Sequence, residues 1–234
     1  MNKTRLRKII AVVLVVALIL GMQVHTLADR PKVYNVRPRV YDGLMFFIIS
    51  GNDVQLNGRA PGNTSASITI PGTITVDGQV YNVVTVDNAA FAHIGISVLD
   101  LSSATNLTTI GHAAFVGNNI TNLDLSGLTN LATIGEGAFA ANNITTLNLS
   151  GLTNLNYIGM SAFKFNEITT IDLSGLSELT TIGSWAFSVN NITTVDLSRL
   201  TSLTHIGDRA FDESVIITGA PPGLNINVNP PTGR

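Results

Sequence analysis

The sequence predicts a β-rich solenoid of 24-residue repeats preceded by a β-hairpin cap. Two observations carry this. Phe91, Phe115, Phe139, Phe163, Phe187 and Phe211 recur at intervals of 24 residues, each preceded by an alanine at Ala90, Ala114, Ala138, Ala162, Ala186 or Ala210. Between them recur apolar pairs two residues apart: Leu99/Leu101, Leu123/Leu125, Leu147/Leu149, Ile171/Leu173 and Val195/Leu197. A period of this kind marks units that cannot bury their own apolar faces, so that stacking makes the core.

Within the unit around Phe139, Leu128, Leu131 and Ile134 are apolar at a spacing of three. Gly135 and the Ala138-Phe139 pair follow, a piece too short for a helix and read as one helical or 3₁₀ turn. Leu147 and Leu149 alternate with Thr146, Asn148 and Ser150, the period of a half-buried strand. Five such strands at about 4.8 Å spacing span roughly 24 Å. Asn118, Asn142, Asn166 and Asn190 form a column at the bend before each strand. A short amide bonds free backbone groups of a bend, so the column reads as a structural ladder.

The Ile-Gly-x-x-Ala-Phe turn followed by a leucine or isoleucine strand, repeated in register over residues 85–217, resembles leucine-rich repeats of the BspA-like type. The resemblance implies a leucine-rich repeat fold with a region before it similar to the one here. It also implies an adhesion-type surface protein whose partner is a protein or glycan on a host or neighbouring cell.

Residues 1–28 read as a secretory signal peptide. Lys3, Arg5, Arg7 and Lys8 give a basic start, Ile9 to Leu20 is an apolar run, and Thr26-Leu27-Ala28 supplies small residues for cleavage near Ala28. A membrane anchor is the competing reading, but the run falls short of the ~20 residues a bilayer span needs. The expectation is a secreted or cell-surface protein with no stable membrane span in the mature chain.

Without that segment the chain carries nine basic and fifteen acidic residues, a net charge of −6. The repeats hold Lys164, Arg199 and Arg209 against ten acids between Asp100 and Glu213. Such a surface makes nucleic acid a poor partner. The chain has no cysteine, which excludes disulfides, thiolate metal sites and cysteine nucleophiles.

Residues 29–39 read as an irregular lead-in with Pro31 and Pro38, and 40–84 as the cap. One hairpin is expected from Leu44–Ile49 and Val54–Leu56 about Ser50-Gly51-Asn52-Asp53. A second is expected from Ile68–Ile70, Ile74–Val76 and Val80–Val86 about Asp77-Gly78. The cap hides the leucines and strand edge of the first rung. The solenoid then covers 85–218, and 219–234 reads as a flexible tail rich in Pro and Gly, with Val215-Ile216-Ile217 before it as one shifted edge strand.

Two surfaces compete as a contact site. Asp100, Asp124, Asn148, Asp172 and Asp196 form a polar stripe on the exposed strand face, readable as a binding surface or as solvated polar side chains. A row of carboxylates on one flat column cannot surround an ion, so no metal site is expected. The alternative is an aromatic, turn-side patch. Tyr157 stands in a column of threonines, Trp185 replaces Ala113, Gly137 and Ser161, and Phe165 replaces Gly117 and Ala141. These aromatics are either a contact patch or a cover for the turn. His93, His112 and His205 occupy different columns and make no cluster.

No catalytic residue and no cofactor follow from these patterns. The expected function is binding through the solenoid face. The alternatives are a structural envelope protein and, further off, a carbohydrate-active enzyme, whose chemistry needs a placed acid and base that the strand face does not offer.

Overall fold

The computed structural model describes residues 38–226. The expected signal peptide, the lead-in before residue 38 and the tail beyond residue 226 lie outside the described residues. The chain opens with β1 (Arg39–Tyr41), β2 (Leu44–Ser50) and β3 (Asp53–Arg59), an antiparallel meander. Asp42 and Gly43, at φ 49° and 72°, make the β1–β2 turn. Positive φ at both central residues is the type I′ geometry that suits the twist of a hairpin. Asp77 and Gly78 repeat it at φ 52° and 77° between β5 (Thr73–Val76) and β6 (Gln79–Val86). The sequence placed Ile68–Ile70 in that second hairpin. Instead β4 (Ser67–Thr69) pairs in parallel with β7 (Val98–Asp100), with Ile68 opposite Leu99, as a rung below the first repeat.

The largest sheet runs the length of the stack. It passes from β1, β2, β3 and β6 to β8 (Thr109–Ile110), β10 (Thr133–Ile134), β12 (Tyr157–Ile158), β13 (Thr181–Ile182), β15 (His205–Ile206) and β17 (Asn225–Ile226). From β3 to β6 and onward the pairing is parallel, with a register shift between Val54 and Gln55, and from β6 to β15 it keeps one register, Ile110 opposite Ile134 and Ile134 opposite Ile158. This two-residue Thr-Ile column is not the one expected to carry the strands. The leucine column does form β9 (Asn122–Asp124) and β11 (Thr146–Asn148), which pair, and β14 (Thr194–Asp196), which pairs with β16 (Ile216–Thr218). Residues 171–173 take no strand, so this second column is broken. The β14–β16 pair sets Thr194 opposite Ile216, an offset of 22 residues that places the shifted edge strand. Residues 225–226, assigned by sequence to the tail, add a strand to the main sheet.

The third side of each rung is the Gly-x-x-Ala-Phe turn, and it is not helical. Ala113, Phe115 and Gly117 donate their N–H groups to Glu136, Ala138 and Ala140 carbonyls of the next rung, at 2.8, 2.8 and 2.9 Å. The same three donors recur at Ala89, Phe91 and His93 and at Gly137, Phe139 and Ala141. Every one of these bonds points toward the later rung. The geometry needs left-handed residues at two positions per rung, for example Ala113 and Gly117 at φ 52° and 65°.

The core lies between these three sides. The phenylalanines stack along its axis with centroids 5.2–5.6 Å apart and planes within 8° of parallel. Burying each ring contributes about 1.5–3 kcal/mol, and each stacked pair adds about 0.5–1.5 kcal/mol. The glycine after each core isoleucine lets rungs approach. A Cβ on Gly159 would meet the Glu136 nitrogen at 2.5 Å.

Candidate interaction surface

The acid stripe follows from where each strand stops. Asp100, Asp124, Asn148 and Asp196 each end a leucine-column strand, Asp172 holds the same position in the rung without one, and each accepts a bond from the N–H two residues on. The distances are 2.9 Å from Ser102, 3.0 Å from Ser126, 3.1 Å from Ser150, 2.9 Å from Ser174 and 2.8 Å from Ser198. This is the Asx turn, in which a short side chain imitates the backbone and closes a bend. The Ser N–H first, and then the Ser hydroxyl, hold the carboxyls of Asp100, Asp172 and Asp196 below their ordinary value. Asp124, Asp172 and Asp196 are exposed, while Asp100 and Asn148 are half-buried. An open depression between the first two of these turns is lined by Leu99, Asp100, Leu101, Ser102, Asp124 and Ser126.

Tyr157 does not belong to the turn-side patch. It stands on β12 opposite Thr133 and Thr181, in the half-buried column of the main sheet. Its position follows from the strand column the sequence did not find.

The other two aromatics do share a surface. Phe165 and Trp185 occupy left-handed positions of successive rungs, at φ 59° and 56°, and are 52% and 37% exposed. The Lys164 Nζ lies 4.8 Å from the Phe165 ring centroid and 5.3 Å from that of Trp185. One ammonium therefore faces both rings, a contact worth about 0.5–1 kcal/mol at an exposed site. Val189 takes the position of Phe165 one rung later, at φ 57° and 48% exposed. Lys164 and Val189 were missed by sequence reasoning. Val189 had the same signal as Phe165, a bulky residue in the column of Gly117 and Ala141. For Lys164 the signal was its place beside Phe165 as the first basic residue of the repeats.

The asparagine column lies inside the bend. The Asn142 amide donates to the Phe115 carbonyl of the preceding rung at 3.0 Å and to the Phe139 carbonyl of its own at 3.1 Å, while its oxygen accepts from Ile120 N–H at 3.2 Å. Asn118, Asn166 and Asn190 make the equivalent bonds. At the last rung Asp212 takes over part of this work. Its carboxylate accepts from the Ser188 hydroxyl and from Val189 and Asn190 N–H groups. His112 lies 3.8 Å from Glu136, His93 is exposed, and His205 stands on β15. Among the described residues no group of three or more His, Cys, Asp or Glu is placed to hold a metal ion, and no helix is long and apolar enough to cross a membrane.

A family profile described as the BspA type leucine rich repeat region matches residues 84–218 in six copies. No curated protein matches the sequence. Solved structures similar to this chain include a leucine-rich repeat protein from Bacteroides capillosus, 16% identical over 78% of this chain and 99% of that one, with a TM-score of 0.35. The pneumococcal vaccine antigen PcpA is 12% identical over 78% and 71%, with a TM-score of 0.42. A leucine rich cell surface protein from Faecalibacterium prausnitzii is 15% identical over 82% and 55%, with a TM-score of 0.39.

Proposed function

Because this chain belongs to the BspA-type leucine-rich repeat family, we propose that it is a secreted or cell-surface binding protein that engages a protein or glycan through the exposed faces of its solenoid. The observation that supports this reading is the stack itself. Rungs in strict register repeat the same exposed positions along one axis, which presents an extended surface for a large partner. In this reading residues 40–84 cap the stack and 85–218 present its faces. In this reading the function is binding rather than catalysis, and each residue of the stripe closes a turn by accepting a serine N–H.

The same turns favour a second reading of the stripe, in which it closes bends and touches no ligand. Surface plasmon resonance of residues 29–234 against matrix proteins and glycans tests the binding function. Asp124→Ala with Asp172→Ala weakens binding if the strand face is the site, and more so at low salt for a basic partner. Failure of every matrix protein and glycan to bind would favour a structural role in the envelope. Export is tested separately. N-terminal sequencing of protein from the culture medium is expected to begin at or near Asp29, and protein retained in membranes with Met1 intact would contradict it.

A further inference from the structure

We propose that the rung of Phe163 is a conformational seam, where the leucine side of the stack opens and closes while the other two sides stay joined. The seam belongs to the free protein and stands whatever the solenoid binds. It begins with a segment that joins no sheet. Residues 169–172 neither donate nor accept a backbone–backbone hydrogen bond among the described residues. One rung earlier, the N–H groups of Thr145 and Thr146 meet the Thr121 carbonyl at 2.9 and 3.4 Å, and β9 pairs with β11. One rung later, β14 pairs with β16. The unpaired segment lies between these two short sheets.

Its sequence does not forbid pairing. Ile-Thr-Thr precedes Leu147, Ile171 and Val195 alike, and β-branched residues suit a strand. Spacing sets this rung apart instead. The rings of Phe139 and Phe163 are 5.6 Å apart, against 5.2–5.3 Å for the other four pairs. Phe165 N–H reaches the Ser188 carbonyl at 3.2 Å, where the equivalent bonds of His93, Gly117 and Ala141 measure 2.8–2.9 Å. Leu147 and Ile171 are half-buried, while Leu123 and Val195 of the same column are buried.

The other two sides hold. β10, β12 and β13 pair without a break, and the turn ladder runs on from Phe163 to Ala186. The ends of the segment are also fixed. Ile168 and Leu173 are buried, Ile168 N–H donates to Asn190 Oδ1 at 3.1 Å, and Asp172 closes its turn with Ser174 N–H at 2.9 Å. A strap tied at both ends between two strand edges has two discrete arrangements. The open one is seen here. In the closed one, 170–172 pair with β11 and β14 and join the two short sheets into one. Closure orders the strap, and it gains ladder bonds and buries Leu147 and Ile171. These opposing effects are similar in size, the condition for both states to be populated.

Asn148, Asp172 and Asp196 lie across the seam. Closed, the stripe they belong to is continuous; open, it is divided. A rigid partner that touches both halves favours the closed state and draws the population toward it.

The test uses the mature chain without ligand. NMR hydrogen exchange is expected to show the amides of Thr169, Thr170 and Asp172 exchanging at least about tenfold faster than those of Thr145, Thr146 and Asn148. Relaxation dispersion is expected at 169–173 and at the facing residues of β11 and β14, and not along the main sheet. An oxidised Thr146→Cys/Thr170→Cys pair, within disulfide reach at strand spacing, is expected to slow exchange at Asp172 and remove the dispersion. Asn122→Cys/Thr146→Cys, across rungs already paired, is expected to leave both unchanged. Equal protection of the two rungs, or dispersion absent or spread evenly over all rungs, overturns the proposal on the unmodified chain. So does a 146–170 pair that fails to oxidise where the 122–146 pair succeeds, or one that oxidises and leaves exchange at Asp172 unchanged.

Discussion

Asn142 joins two rungs with one amide, and Asn148 closes a bend within one. The difference sets their expected effects. Asn142→Ala leaves the buried Ile120 N–H without its acceptor, while the Phe115 and Phe139 carbonyls each keep one of two amide donors, from Asn118 and Asn166, and it is expected to cost about 1–3 kcal/mol. Asn148→Ala loses a half-exposed turn and is expected to cost under about 1 kcal/mol. Chemical denaturation of both variants checks this, and equal shifts would contradict it. The acid turns also carry a pH signature. Asp100, Asp172 and Asp196 are held below their ordinary 3.8 by serine N–H groups. A depressed carboxyl contributes stability that is fully present above its unfolded value and is lost as pH falls through the folded one. Replacing all three by Asn keeps the accepting oxygen, as Asn148 shows. The variant's melting temperature is expected to fall less than the wild type's between about pH 5 and pH 2. Asp-Leu-Ser recurs in four rungs and Asn-Leu-Ser in the fifth, but the sequence reading took these residues as strand and exposed stripe rather than as a turn. What was not legible was that the same carboxylates serve the backbone first.

At the scale of an element, the period announced the solenoid but not which column would bear the main sheet. Leu-x-Leu shows the alternation of a strand, whereas each sheet rung supplies only two residues, such as Thr133–Ile134, too few to show any period. The turn was misread for a related reason. A left-handed position is visible when glycine fills it, as at Gly117, and invisible when it holds Ala113, Phe165 or Trp185. The rungs depend on close approach at one glycine each and on one buried ring each. Gly159→Ala sets a methyl against the backbone of the preceding rung and is expected to cost about 1–3 kcal/mol. Phe139→Ala opens a cavity between two stacked rings and is expected to cost about 3–5 kcal/mol. Trp185→Ala, outside the core, is expected to stay within about 0.5 kcal/mol. Thermal melts of the three variants give the order, and a loss at Trp185 equal to that at Phe139 would contradict it.

At the scale of the molecule, a stack in which each rung touches only its neighbours transmits order along one axis. The cap sheet is continuous with the repeat sheet through β3, β6 and β8, so the first rung meets no exposed edge. The turn ladder adds a direction to that axis. In a mixed sheet the peptide dipoles of neighbouring strands largely cancel. Along this flank every ladder N–H points toward the later rung and every ladder carbonyl toward the earlier one, so the dipoles add as they do in a helix. The flank is thus electrically polar from end to end, positive where the ladder reaches Arg209–Glu213. The chain already answers that field. Val189 N–H, which on the pattern of Gly117 and Ala141 would meet a carbonyl, meets the Asp212 carboxylate at 2.9 Å instead. A negative charge at that end stabilises the last rung it caps, and the opposite end of the ladder favours a positive one.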